Sequence, residues 1–364
     1  MGSTGVEPVE RAGPAEWLEG LAAVSAAAAR KAGVIVRGYR IGGRNVCMRF
    51  AGKAMFEAVA PSFAHLEAHE ADGRALALEL WDAASTATMP PPLPRVGEDG
   101  DEGAVGALYH YADAMARVAY QPGFDALSVL EYESDPPGPR RAFYWLRSAD
   151  ELPYWERATP IRQLLHWWLG SYGIQQVHAA AVGSPAAGVL LVGNPGSGKS
   201  TSALSSLDSP LLFAGDDYVA VGLQPEPYVY SLYNSGKLEP HHLQRLPHVQ
   251  RAVANRDRLA TEKAVIYVHE HFPTRTTSGF PLRAILLPTV RDQTESCIVP
   301  APRADALRAL APSTMIQLHT AGAEALTRMK ELVVRVPAFV LELGSDIPAV
   351  PRVISDFLDH DLGR

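Results

Sequence analysis

The run Gly193-Asn194-Pro195-Gly196-Ser197-Gly198-Lys199-Ser200 satisfies every defined position of G-x-x-x-x-G-K-[ST], and it constrains the fold more than any other feature of the chain. Glycines let the backbone turn tightly enough for successive N–H groups to face phosphate oxygens. Lys199 supplies a mobile positive charge for the β and γ phosphates, and Ser200 a hydroxyl for Mg²⁺. Such a loop works only between a strand and a helix, whose positive N-terminal end adds to the cradle. Gly188-Val189-Leu190-Leu191-Val192 before it reads as a buried strand, and Ser200 to Leu207 after it, free of Gly and Pro, reads as a helix. The competing reading, a glycine turn with a chance lysine, is disfavoured by both flanks. The expectation is an α/β chain with a P-loop core that binds ATP and Mg²⁺ through residues Gly193 to Ser200 together with Thr201.

Leu211-Leu212-Phe213-Ala214-Gly215-Asp216-Asp217 ends an apolar run on two carboxylates, where a second parallel strand would deliver a Walker-B-type acid. One carboxylate can hold Mg²⁺ while its neighbour takes the proton of an attacking hydroxyl. Alone, the pair would read as an ordinary Asp turn; beside a P-loop the functional reading gains. His178 opens the apolar run Val177 to Val182, which is expected to pair with the P-loop strand through a Gly183 to Gly188 turn. From spacing, such a histidine is more often a hydrogen-bonded core residue than a phosphate donor or base partner. Lys237, Glu239, Arg275 and Arg283 could meet substrate or phosphate, but long charged side chains usually face solvent. His241-His242 and His269-Glu270-His271 lack further ligands at metal-site spacing. Trp17, Trp145, Trp155, Trp167 and Trp168 are expected in cores or interfaces.

Along the 364 residues two domains are expected, an N-terminal α+β domain over 1–150, a candidate for substrate recognition, and a catalytic domain over 151–364. Helices are predicted over Glu16 to Lys31, Ala54 to Glu70 with a break at Pro61, Pro160 to Tyr172, Ala304 to Leu310 and Gly322 to Val334. Strands are predicted at Val46 to Phe50, Ala75 to Leu80, Ala126 to Tyr132, Ala142 to Leu146, Leu282 to Pro288 and Val336 to Leu343. Met89 to Pro94 and the acidic Gly97 to Gly103 read as a surface loop, and Pro136 to Pro139 as a turn. A net charge of -7 without a basic stripe disfavours nucleic acid. Cys47 and Cys297 are too few for a disulfide framework. With neither an export signal nor an uninterrupted apolar span, a cytoplasmic protein without membrane contact is expected. The sequence does not decide between a monomer and a homo-oligomer.

The order His178-Ala179-Ala180-Ala181-Val182, then Gly188 to Ser200, then Ala214-Gly215-Asp216-Asp217 resembles the catalytic core of HPr kinase/phosphorylase and its relatives, which share a fold with phosphoenolpyruvate carboxykinase. Tyr230 to Leu238, Pro281 to Pro288 and Leu341 to Asp346 are similar to a subgroup of HPr-kinase-related proteins. The resemblance implies a catalytic aspartate acting on a serine hydroxyl, carried here onto Asp216, with Asp217 and Ser200 nearest the metal, and it brings His178 into the active site. Thr201 stands where the family's core kinases usually have Glu, and their glycine-rich phosphorylase signature is absent, which speaks against the reverse activity. The subgroup includes kinases that phosphorylate a C-terminal serine of lasso-peptide precursors, which implies a peptide or small-protein acceptor. A small-molecule kinase, for instance on free serine, and a slowly hydrolysing nucleotide switch are the alternatives. The acid pair favours a kinase over a switch, which needs a water-positioning group instead.

Overall fold

The computed structural model describes residues 13–68, 76–93, 101–105, 108–134, 137–318 and 320–360. Met1 to Val6, the Gly97 to Gly100 part of the acidic run and Pro136 lie outside them. Two compact units emerge, one from residues 1–36, 48–56 and 76–151, the other from 37–47, 57–75 and 152–364.

The first unit is built on strands β1 (Val34–Ile41), β2 (Arg44–Ala51), β3 (Leu76–Asp82), β4 (Asp101–Val105), β5 (Leu108–Ala112), β6 (Ala116–Gln121), β7 (Ala126–Ser134) and β8 (Pro137–Leu146), in the sheet order β1-β2-β3-β8-β7-β6-β5-β4. β1 and β2 run on into segment 37–47 of the second unit. The helix Pro14–Ala32 starts on a proline, carries Glu16 in its first turn and Arg30 and Lys31 in its last, and stops at Gly33, so caps and macrodipole agree with its bounds. Its Trp17, Leu18 and Leu21 share one core with Trp81, Val118 and Phe143. Asp101, Glu102 and Gly103, expected at the end of a loop, begin β4, and the expected turn at Pro137 to Pro139 is the start of β8, with Tyr132 opposite Pro139.

The second unit carries β9 (Gln175–His178), β10 (Ala180–Gly183), β11 (Gly188–Leu191), β12 (Leu212–Gly215), β13 (Tyr218–Gly222), β14 (Tyr228–Ser231), β15 (Ser235–Leu238), β16 (Ala264–Tyr267), β17 (Gly279–Val290), β18 (Cys297–Ala301) and β19 (Ala338–Leu343). The main sheet runs β12-β10-β11-β17-β14-β13-β9, with β19 parallel to β17 and β18 on its far side; β15 and β16 form a separate antiparallel pair. β11 lies between antiparallel β10 and parallel β17, so the P-loop strand is interior. All four of its residues are buried, which is why it reads as a continuous apolar run. The helix Lys199–Ser205 contributes Ala203 and Leu204 to a core with Val189, Leu191, Phe213 and Leu286.

Two expectations about strand pairing are corrected. The run Val177 to Val182 is broken at Ala179: β10 pairs with β11 as expected, but His178 belongs to β9, which pairs with β13. β12 is not a parallel neighbour of β11; β10 lies between them, antiparallel to both, so β12 and β11 point the same way one strand apart. Of the tryptophans, Trp155 is 43% exposed, while Trp17, Trp145, Trp167 and Trp168 are buried. Cys47 and Cys297 are free thiols. Among the described residues no helix is long and apolar enough to cross a membrane.

Candidate active site

The P-loop turns from the end of β11 into the helix Lys199–Ser205. Gly198 at φ +106° is where the turn needs glycine: a Cβ there would lie 2.4 Å from Cδ1 of Leu343, and the backbone conformation is one that other residues rarely adopt. Pro195, Gly196, Gly198, Lys199, Ser200 and Thr201 line a cleft of about 370 Å³, within the range of small-molecule sites. Gly193, Asn194 and Ser197 shape the loop without lining that cleft. Lys199 is 7% exposed, and its ammonium donates to the carbonyls of Gly193 (2.7 Å) and Asn194 (3.2 Å). Burial pulls its pKa down, and Asp216 and Asp217 pull against that.

β12 ends at Gly215 and delivers both acids to this loop, where they part. Asp216 is 1% exposed and accepts from the Ser200 hydroxyl at 2.9 Å and from the Lys237 backbone N–H at 3.1 Å. Asp217 sits at φ +62°, in the left-handed region, and its side chain reaches the cleft. Aspartate tolerates that conformation better than most residues, and strain of this kind concentrates at functional sites. The Lys237 ammonium lies 2.6 Å from Oδ2 of Asp217, and His178 Nε2 lies 3.6 Å from Oδ1. Burial and the charge of Asp217 raise the Asp216 pKa to about 6, against the lowering effect of its hydrogen bonds. Burial works on Asp217 in the same direction, but Lys237 and His178 outweigh it and hold that carboxyl well below the usual carboxylate range.

His178 reaches the acids through β13 rather than through the P-loop strand. Its partner in the ladder is Tyr218, the residue after Asp217, so the register sets the imidazole beside that carboxylate. Its backbone N–H donates to the Thr314 hydroxyl at 3.0 Å. Tyr218 accepts from Arg162 and donates to Gln317, which fixes the phenol behind the imidazole, 5.4 Å from it between ring centroids.

Of the four charged residues that could meet substrate or phosphate, Lys237 and Glu239 line the cleft, Glu239 pairing with Lys263 at 2.8 Å. Arg283 pairs with Glu226 at 3.5 Å on the surface, and Arg275 sits in the short turn Pro273–Arg275. The signal for Lys237 lies in Asn234, whose side chain donates to the carbonyls of Pro61 (2.7 Å) and Ser62 (3.0 Å) and so anchors the start of β15.

Among the described residues no three or more His, Cys, Asp or Glu side chains cluster to hold a metal. Mg²⁺ in a nucleotide site takes one or two protein oxygens and fills its shell with phosphate and water. The hard oxygens of Ser200 and Asp216, joined at 2.9 Å, suit that need. The serine hydroxyl meets Asp216 and not Asp217, the acid expected on the metal side.

No family model matches the chain, and no curated protein matches it significantly. Solved structures do match; among them, that of the Hpr(Ser) kinase/phosphatase from Coxiella burnetii covers 50% of this chain and 93% of its own, at 11% identity and a TM-score of 0.29. A likeness of that extent says nothing about chemistry, which has to come from this chain's own residues.

Proposed function

We propose that the chain is an ATP-dependent kinase that transfers the γ-phosphate to a hydroxyl, the acceptor being a serine of a peptide or small protein. The observation that carries this reading is the division of labour at the acid pair. Asp216 is tied to the P-loop serine, while Asp217, one residue on, faces the cleft between His178 and Lys237. A switch that only hydrolyses nucleotide has no need of a second carboxylate lining the cleft beside its phosphate loop. The resemblance to HPr-kinase-related proteins supports serine as the acceptor, and lasso-peptide precursors as one substrate to try.

In this reading Lys199 serves the β and γ phosphates, and Ser200 with Asp216 would hold Mg²⁺. Bound there, the metal would neutralise charge on the phosphate oxygens. Asp217 accepts the hydroxyl proton as the acceptor oxygen forms its bond to the γ-phosphorus and the bond to the β-phosphate oxygen breaks, leaving ADP. This reverses the order expected for the two acids, and geometry is the reason: Asp216 is enclosed with both oxygens engaged, whereas Asp217 lines the cleft. The low pKa of Asp217 keeps it ionised, and a loose phosphoryl-transfer transition state asks for position more than for strong basicity. His178 holds the Asp217 carboxylate in line.

The test is transfer from γ-labelled ATP by the wild type, Lys199→Ala and Asp217→Asn, with serine-containing peptides as acceptors. Label should move to peptide with the wild type alone. Equal transfer by all three proteins would sink the proposal.

A further inference from the structure

β15 is held along its length, and it presents Lys237 and Leu238 to the cleft, Lys237 with its charge. Asn234 ties its start to the carbonyls of Pro61 and Ser62, and the Ser235 hydroxyl donates to the Ala158 carbonyl. Gly236 presses against the P-loop helix so closely that a Cβ there would lie 2.8 Å from Cδ2 of Leu204. Leu238 is buried in the core that this helix shares. Lys237 itself pairs with Val265 across the ladder, its backbone N–H holds Asp216, and its ammonium pairs with Asp217. One residue thus grips both acids, with its charge at the wall of the cleft.

Holding Asp217 uses one donor of an ammonium that has three. The side chain is only 16% exposed, and burying an ammonium for a single ion pair would be a poor exchange. Its charge lies in the same cleft as Lys199 and beside Asp217, where the end of a triphosphate cradled by the P-loop would meet the base. We infer that Lys237 is a catalytic residue whose ammonium contacts the terminal phosphoryl group of the bound nucleotide, a second cation complementary to Lys199. This rests on the reading of the cleft as an ATP site. Nothing in the sequence motif marks the residue, because it arrives on a strand outside the P-loop sheet.

The experiment compares binding of ADP and of a non-hydrolysable ATP analogue, each with Mg²⁺, to the full-length wild type, Lys237→Met and Lys237→Arg by calorimetry. Methionine keeps the length of the stem, and the backbone N–H to Asp216 survives in both variants. Lys237→Met should lose about tenfold or more in affinity for the ATP analogue, the scale of a hydrogen bond to a charged group, while ADP binds as to the wild type. Lys237→Arg should recover most of the difference. In any transfer assay kcat should fall about a hundredfold in the methionine variant. Unchanged affinity for both nucleotides, or an equal loss of both, overturns the inference even if the kinase reading stands. A wild type that binds both nucleotides but phosphorylates nothing overturns the kinase reading and leaves the affinity comparison to decide Lys237. A wild type that binds neither overturns both.

Discussion

Replacing Asp216 by asparagine should stabilise the nucleotide-free protein at neutral pH and gain much less in acid. Asp216 is 1% exposed and its pKa is raised from 3.8 to about 6. A carboxyl raised in the folded state favours folding while it is protonated: its contribution is complete below 3.8 and is lost as pH rises through about 6. At about 1.4 kcal/mol per pH unit the loss is about 3 kcal/mol. Asparagine stays neutral and fits the same partners, its carbonyl accepting from the Lys237 N–H and its amide donating to the Ser200 hydroxyl. Thermal or urea unfolding of wild type and Asp216→Asn, in EDTA and without nucleotide, reads the effect. The stability difference in favour of the variant should grow by most of 3 kcal/mol, roughly, between pH 4 and 8. In melting temperature that is about 6–12 °C for a unit of this size. A difference that stays constant with pH would mean that no buried charge is relieved at Asp216. The same variant should transfer phosphate poorly, a trade of activity for stability at a functional site.

Asp217→Asn should bind MgATP as the wild type does but transfer phosphate about a hundredfold or more slowly, measured as kcat and KM separately; unchanged kcat would remove Asp217 from the chemistry. Gly198→Ala forces a side chain into φ +106° and against Leu343, at a cost of about 1–3 kcal/mol, so both nucleotide affinity and melting temperature should drop; wild-type calorimetry would contradict the loop geometry. Deleting residues 1–150 should yield an unstable second unit, because segments 37–47 and 57–75 belong to it and Ser62 accepts from Asn234. A truncated chain that melts cooperatively at the wild-type temperature would show those segments to be dispensable.

The parts of the site that were legible in the sequence are those that the chain makes locally. The P-loop, its apolar strand and its helix follow one another without interruption, and Asp216 and Asp217 close a short apolar run, so each announces itself within a few residues. His178 was legible as a residue but not by its route, because the break at Ala179 that moves it from β10 to β9 carries no proline or glycine. β13 to β16 are only four or five residues long, too short for alternation to show, and they are defined by partners far away in sequence. Lys237 was legible only as one of four charged residues that could meet substrate or phosphate, for that reason: its place depends on Gly236 meeting Leu204 and on Asn234 meeting Ser62. Residues 37–47 and 57–75 read as parts of a continuous N-terminal segment, and only long-range pairing assigns them to the second unit.

The most direct test is to incubate the full-length protein with MgATP and a mixture of serine-containing peptides and small hydroxylated metabolites, then follow both phosphorylated acceptors and free phosphate by mass spectrometry. A serine-bearing acceptor should gain the γ-phosphoryl group in step with ADP formation. Inorganic phosphate appearing at the full rate of ADP formation, with no acceptor modified, would contradict the kinase reading and leave a nucleotide hydrolase in its place.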